Sequence, residues 1–571
     1  MNAILFFCSG GSLSPASGAG EAEGLHYKSL EMFTEPVSSK DFFGRTKILE
    51  LLNKRVDALK SGYRQNVALT GQMFSGKTSI LRYFLKSLKD SSIIPIYIEV
   101  CEEPFPSFTD KFIANLLYNF FLSINKDVSI DIESLTRQAE AIIPCTAQAI
   151  KKIYQDISTR SYNQAYRQLL DLTSVFKEET NRPCIVILDE FHNLENFNIK
   201  NAFLHLGRII MIQKNTMYIV SSSQRNKIRK ILSEKLSLLF GNFEIIEVSG
   251  FDSKTAREFI KEKIAPLNIS DYYSDYFLNV TDSNPFYLDM VSKRLKYYKE
   301  SSNCERVNVE LIKDVLEDLM FNENGTLHKH FMNNIHFLFD KDQRKNYLNI
   351  LFALANGANR IKDIAAYFKG RDLSKNLEHL IEIDVVYKCG IFYTIQDRVF
   401  SFWLKTVYFM KKKAIIDNFL DWSSEFKKLV ENDVENYLIE YNKGVGERVK
   451  ELFYSFDGEI VEINNRLRKL PKFFKIEVIK YGIDKNYLAC EEGNKYWICN
   501  IKHNKAEETD VIDLIQLSHN RFKNAKRKIL VALGGIDSNA LLLAKEKHIW
   551  VWKSNSLNSL FRLYKKYELI V

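Results

Sequence analysis

Over the first half of the chain, short apolar runs alternate with longer amphipathic segments. Asn66-Val67-Ala68-Leu69-Thr70, Ile93 to Val100, Cys184-Ile185-Val186-Ile187-Leu188, Thr216 to Ser221 and Phe243 to Val248 read as strands. The run 184–188 is apolar without alternation, the pattern of a strand covered on both faces. Between these runs, Thr46 to Ala58 places Ile48, Leu51, Leu52 and Val56 on one helical face. A second helix opens at Thr78, and 105–180 keeps a mainly helical pattern. Strands alternating with helices of this length predict an α/β fold with a doubly wound parallel sheet.

Residues 253–335 read as helical. From 341 to 400 the pattern predicts three short helices and a hairpin, Val385 to Lys388 and Ile391 to Thr394, turned at Cys389-Gly390. Helices followed by a hairpin are a winged-helix pattern. Residues 414–455 are again helical, and 473–571 return to mixed strand and helix. A chain of 571 residues exceeds what one core sustains, about 250–300 residues. The expected division is a disordered tail at 1–36, a parallel-sheet domain at 37–250, a helical lid at 251–335, a winged helix at 336–410, and a helical linker with a small α/β domain at 411–571.

Charge and composition narrow this little. The net charge of +9 permits an acidic partner without requiring one. Eight cysteines are scattered without a C-x-x-C pair, and Cys184 and Cys499 sit inside apolar runs as small hydrophobes. This suits a reducing, cytoplasmic setting and gives no zinc site or disulfide framework. No apolar stretch reaches the ~18–20 residues that span a bilayer. The apolar start, Met1 to Cys8, lacks a basic flank, so no signal peptide is expected.

Gly71-Gln72-Met73-Phe74-Ser75-Gly76-Lys77-Thr78 satisfies G-x-x-x-x-G-K-[ST] in full. The two glycines permit backbone angles that turn successive N–H groups toward phosphates. Lys77 neutralises the β- and γ-phosphates, and the Thr78 hydroxyl ligates Mg²⁺. The following helix, through Thr78 and Ser79, adds its positive end to the same anion site. About 0.02 chance matches are expected in such a chain, and this one lies between a strand and a helix as its mechanism needs. About 110 residues later, Ile185 to Leu188 ends in Asp189-Glu190. Buried strands do not hold unpaired carboxylates, so the pair belongs at the strand's C-terminal end. There Asp189 reaches Mg²⁺ through water, and Glu190 polarises the water that attacks the γ-phosphate. Ser221, ending the next strand with Ser222 and Ser223, can hold that water or the γ-phosphate, although serine runs also end strands without a role.

With these residues placed, the chain resembles the archaeal-type ATPase family of the STAND and AAA+ division of P-loop proteins. Phe43-Gly44-Arg45 is similar to that family's lead-in, which packs near the adenine. Asp189-Glu190 resembles its acidic motif, and Ser221-Ser222-Ser223 its polar sensor strand. Leu239-Phe240-Gly241 matches L-[FY]-G-R, with Asn242 where arginine is usual. Asn284-Pro285-Phe286-Tyr287-Leu288 resembles an element of the helical lid, and Tyr393 to Trp403 the end of the family's winged helix.

The resemblance also implies a restriction-nuclease-like C-terminal domain, with Gly446-Glu447-Arg448-Val449 on a helix, then Tyr487 to Cys490 and Tyr496 to Lys502. Asn500 and Asn486 occupy positions where that chemistry uses acids, leaving Glu447 and Lys502, so the module reads as degenerate. Lysines at 411–413, 427–428, 469, 472 and 475, with Phe473 and Phe474, could track a phosphate backbone, or form a solvated face. The expected function is an ATP- and Mg²⁺-dependent molecular switch with an unidentified protein partner and room for a homo-oligomer. The alternatives are an ATP-gated protein that holds DNA through the winged helix, and a Mg²⁺-dependent nuclease.

Overall fold

The computed structural model describes residues 36–37, 41–126, 128, 130–236, 241–302, 305–339, 343–368, 372–413, 419–464, 466–480 and 486–570. Residues 1–35 of the tail read at 1–36, together with Leu239 and Phe240, lie outside them.

Five strands form the first sheet: β1 (Asn66–Thr70), β2 (Ile94–Glu99), β3 (Cys184–Asp189), β4 (Thr216–Ser222) and β5 (Phe243–Glu247). They are all parallel, in the order β2-β3-β4-β1-β5. Alternate side chains supply two cores. Ala68, Val186, Leu188 and Val220 face the helices between 105 and 180 and Ala202–Ile212. Val67, Leu69, Ile185, Ile187 and Ile219 face the helices Thr46–Lys60 and Lys77–Ser87. Burial on both faces explains why these strands are continuous apolar runs.

Register sets the functional edge. Leu69 lies beside Ser221 and Thr70 beside Ser222, while Leu188 pairs with Val220 and Glu99 with Asp189. Thr70, Ser221 and Asp189 therefore end their strands at one rim, where an open parallel sheet binds its ligands.

Helices Ser253–Ile264, Asp271–Thr281 and Pro285–Ser302 follow, and further helices lead to the hairpin β6 (Val386–Cys389) and β7 (Phe392–Ile395). Three helices, Arg344–Ala355, Ile361–Ala365 and Leu373–Glu382, precede the hairpin, whose register, Val386 against Ile395, moves the turn one residue beyond the predicted Cys389-Gly390. One continuous apolar core runs from Phe251 to Tyr437. It joins the segments expected as lid and winged helix to the helix Phe419–Tyr441.

The C-terminal half holds a small hairpin, β8 (Ile460–Ile463) and β9 (Arg466–Lys469), and a second sheet. That sheet runs β10 (Lys475–Lys480), β11 (Asn486–Glu492), β12 (Lys495–Lys502), β13 (Ala525–Ala532), β14 (Trp550–Lys553) in space as in sequence. It is antiparallel from β10 to β12 and parallel from β12 to β14. Among the described residues no helix is long and apolar enough to cross a membrane.

Candidate functional site: the rim of the first sheet

The loop after β1 is shaped by backbone needs. A Cβ on Gly71 would lie 2.3 Å from the Val248 carbonyl oxygen, so only glycine fits there. Gly76, at φ 91°, and Phe74, at φ 62°, both take left-handed angles, for which glycine alone has no steric cost. Lys77 opens the next helix and is 4% exposed. Its ammonium donates to the Gly71 and Gln72 carbonyls at 3.1 and 2.9 Å. Burial lowers its pKa, Glu190 and then Asp189 oppose that shift, and Arg225 reinforces it. The two carboxylates thus lie within the electrostatic reach of the loop lysine. Among the described residues the buried hydroxyls of Thr70 and Ser75 have no partner, leaving hydrogen-bonding capacity in the cradle.

Arg45 ties the lead-in to this loop. It donates to the Ser75, Ser249 and Gly250 carbonyls at 3.1, 2.6 and 3.3 Å and lies over the Phe251 ring at 4.8 Å. Burial brings its pKa down to about 10. Phe43 packs edge-on against Phe259 at 5.3 Å, and a Cβ on Gly44 would meet Thr255 at 2.8 Å. Thr78 and Ser79 are half-buried on the first turn of the helix, and Met73 is 56% exposed.

Asp189 ends β3 as expected, but it is fully buried. An unpaired carboxylate there would cost several kcal/mol. Two hydroxyls offset that cost: Tyr97 donates to Oδ2 at 2.9 Å and Ser221 donates to Oδ1. Glu190 follows at φ 52°, a left-handed turn that swings its side chain off the strand line. Its Oε2 accepts from the Ser223 amide at 2.9 Å and hydroxyl at 3.0 Å, and lies 3.3 Å from His192 Nδ1. Burial raises the Glu190 pKa, against the pull of Lys77. Burial also lowers that of His192 to about 4, so the imidazole is neutral at pH 7. His192 Nδ1 makes its hydrogen bond with the Ser222 hydroxyl at 2.9 Å, so the neutral ring lies beside Glu190 without forming an ion pair. Tyr97, His192 and Arg225 were not singled out from sequence, and only the strand order brings them together with Ser223.

The loop is also covered. Phe74 stacks on Phe286 at 4.2 Å and meets His330 edge-on at 5.1 Å. Gln72 Nε2 donates to the Gln396 carbonyl at 3.1 Å. Beside it, Tyr287 donates to Asp397. Asn226, just past β4, donates its side-chain amide to the Ile381 carbonyl at 2.8 Å and its backbone N–H to Asp384 at 3.2 Å. The helix 373–382 therefore ends against the first domain.

Other expected positions lie elsewhere. Asn242 sits where β5 begins, its carbonyl accepting from the Asn66 amide at 3.2 Å, at the sheet end opposite the loop. In the C-terminal sheet Asn500 is buried and Lys502 donates to buried Asp510 at 2.9 Å. Glu447 is exposed on its helix. Among the described residues no three His, Cys, Asp or Glu side chains form a metal-binding group. Several lysines of the proposed phosphate track are neutralised at home: Lys427 by Asp314 and Glu317 at 2.8 and 3.0 Å, Lys472 by Asp457 at 3.3 Å, and Lys475 by Glu477 at 2.5 Å.

A parallel sheet whose first strand runs into a glycine-bounded lysine loop, with carboxylates two strands away on the same rim, defines a P-loop nucleoside triphosphatase. Residues 42–291 match the model of an ATPase domain predominantly from Archaea. Over those residues the chain carries an archaeal-type P-loop ATPase domain, and that domain makes the protein an ATPase. An uncharacterized ATP-binding protein of Pyrococcus abyssi is 24% identical over 321 residues, covering 54% of this chain and 88% of that protein. Among solved structures, a Walker-type ATPase of Pyrococcus abyssi aligns over 65% of this chain and 99% of its own, at 18% identity and TM-score 0.46. The Aeropyrum pernix ORC2 protein aligns over 67% and 98%, at 12% identity and TM-score 0.41.

Proposed function

We propose that this ATPase is a molecular switch of the STAND and AAA+ type, in which nucleotide controls how the lid and a winged helix at 336–410 sit on the phosphate loop. The observation that carries this reading is the cover itself: Phe286 stacked on Phe74, and the Gln396 carbonyl bound by Gln72. A triphosphate entering the loop draws the Lys77 ammonium off the Gly71 and Gln72 carbonyls. That movement disturbs the residue that holds the hairpin, so the chemistry and the cover share one element.

Within the site, the amides of Gly71 to Ser79 and Lys77 hold the phosphates, and Phe43, Gly44 and Arg45 border the nucleotide from the lead-in. Asp189 and Thr78 fit Mg²⁺, being hard oxygen donors. Asp189 contacts only hydroxyls and one amide, with no ion pair among the described residues. Bound there, Mg²⁺ supplies neutralisation of charge on the β- and γ-phosphate oxygens. Glu190 accepts a proton from the attacking water, and Ser221 fixes the acidic pair by donating to Asp189. Ser223 holds Glu190 aside until the strand ends adjust. An unidentified protein partner reads the released winged helix, and a homo-oligomer remains compatible with this arrangement.

Hydrolysis by Lys77→Ala and Glu190→Gln proteins tests the reading. Both should lose turnover, and unaltered turnover in both would defeat it. The DNA-holding alternative gains nothing from helix 373–382, which docks on Asn226. The nuclease alternative gains nothing from Lys502, which is paired with Asp510.

A further inference from the structure

Two arginines stack on one indole of the C-terminal sheet, and the charge of a third, Arg466, reaches Arg468 beside them. Arg468 from β9 and Arg527 from β13 each place the guanidinium carbon 4.6 Å from the centre of the Trp550 ring. Trp497 supports that ring edge-on at 5.2 Å and 89°. Register explains the meeting. Arg466 and Arg468 stand opposite Ile463 and Val461 in the β8–β9 hairpin, and directly opposed residues share a face. Val461 and Ile463 are buried in the core that Trp550 borders, so both arginines lie on the side of the hairpin that faces the sheet.

Among the described residues no carboxylate pairs with this group. Burial lowers the Arg468 pKa, and the charges of Arg466 and Arg527 lower it further, with no carboxylate opposing them. Arg527 Nε is buried without a hydrogen-bond partner. The nearby carboxylate, Glu492, is engaged by Lys526 at 2.6 Å and by the Trp497 N–H at 2.7 Å. Among the described residues none of the three arginines has an ion pair, whereas the neighbouring Lys472, Lys475 and Lys526 each do. Arginines often lay their stems over apolar rings for packing alone. Packing does not account for three like charges held together without a counter-ion, and stacking on Trp550 leaves the planar N–H edges free for bidentate contacts to phosphate.

We propose that Arg468 and Arg527, stacked on Trp550, together with Arg466 beside Arg468, bind the phosphodiester backbone of a nucleic acid without regard to sequence. A polyphosphate presents a charge at every nucleotide and can meet several guanidiniums at once, which the scattered carboxylates of an acidic protein surface do less readily. This site is separate from the phosphate loop, and it needs no cleavage chemistry.

Fluorescence anisotropy of the full chain with labelled single- and double-stranded DNA of about 30 nucleotides, between about 50 and 200 mM NaCl, tests this. Binding should weaken steeply with salt. Arg466→Gln, Arg468→Gln and Arg527→Gln together should weaken it about 10-fold or more and flatten the slope of log affinity against log salt by about 2–3. Unchanged ATP hydrolysis would show that the triple variant is folded. Exposed Arg466→Gln alone should flatten the slope by about 0.7–0.9. The proposal is overturned if DNA is not held at low salt, if both variants bind as the natural chain does, or if polyglutamate is held more tightly than DNA, which would mark an acidic protein as the partner. Each of these results leaves the ATPase reading untouched.

Discussion

Gln72 and Gln396, 324 positions apart, meet at 3.1 Å, the side-chain amide of one donating to the backbone carbonyl of the other. Gln72 also lends its own carbonyl to Lys77 at 2.9 Å. One residue thus links the phosphate-binding lysine to the hairpin module, and the two contacts cannot be adjusted independently.

Weakening this cover should raise basal hydrolysis. A hydrogen bond of this kind contributes about 0.5–1.5 kcal/mol, and a stacked aromatic pair a similar amount. Gln72→Ala and Phe286→Leu should each shift the closed-to-open balance by about 2- to 12-fold. Steady-state phosphate release should increase correspondingly, with the double variant exceeding either single one. Turnover that falls in both single variants would mean that the contacts assist hydrolysis instead of restraining it.

Binding and turnover should separate at the rim. Lys77→Ala removes the ammonium from a buried cradle and should abolish retention of labelled ATP. Glu190→Gln keeps the shape and the Ser223 contacts but removes the proton acceptor. It should retain ATP while hydrolysis falls about 10²-fold or more. Tyr97→Phe deletes one of the two hydroxyls on Asp189. It should cost about 1–3 kcal/mol of local stability, the penalty for a buried acceptor left short of a donor, read as faster hydrogen exchange at the end of β3.

The strands of the first sheet were legible because burial on both faces writes them as continuous apolar runs. The phosphate loop was legible because its spacing is fixed by the ligand. The surroundings of Asp189 and Glu190 were not. Tyr97, Ser221 and Ser223 reach them only because β3 lies between β2 and β4, an order that no local pattern encodes. That order also explains how Asp189 is buried completely instead of standing at a wet strand end. Gln396 was invisible for another reason, since its contribution is a main-chain carbonyl. The lysine stretches were plain as charges, but the reading included Lys427, matched by Asp314 and Glu317, and passed over Arg466 and Arg468, which have no such match among the described residues.

Docking of the hairpin module should depend on pH through Asp384. Burial raises its carboxyl pKa to about 6, against the Asn226 amide and the charges of Arg225 and Arg229. A raised carboxyl pKa means that the docked form favours the proton. Docking is therefore strongest below the ordinary carboxyl value of 3.8 and loses that advantage as pH rises through about 6. Basal hydrolysis should climb across this interval. Asp384→Asn, which imitates the protonated group, should hold the low-pH rate at neutral pH. A profile identical in the two proteins would remove Asp384 as the cause.

The last turn of the chain should act as a fastening between lid and hairpin module. Glu568 pairs with Arg398 just after β7 and with Arg562 at 3.1 Å, while Arg562 also holds Asp282 at 2.6 Å beside the lid helix. Burial, and then the charge of Arg562, bring the Arg398 pKa down to about 9. Its positive charge therefore depends on the carboxylates around it. Glu568→Ala leaves two guanidiniums facing the single carboxylate of Asp282. Breaking a largely buried pair by removing one partner costs about 3 kcal/mol, discounted here because these side chains are 12–31% exposed. Hydrogen exchange should accelerate in the lid helix Asp271–Thr281, where Asn279 donates to the Glu568 carbonyl at 3.2 Å and accepts from Arg398. Exchange across β1 and β3 should not change, because Glu568 touches neither. Acceleration that spread to those strands would show general unfolding, and exchange unchanged at 271–281 would show that the tail fastens nothing.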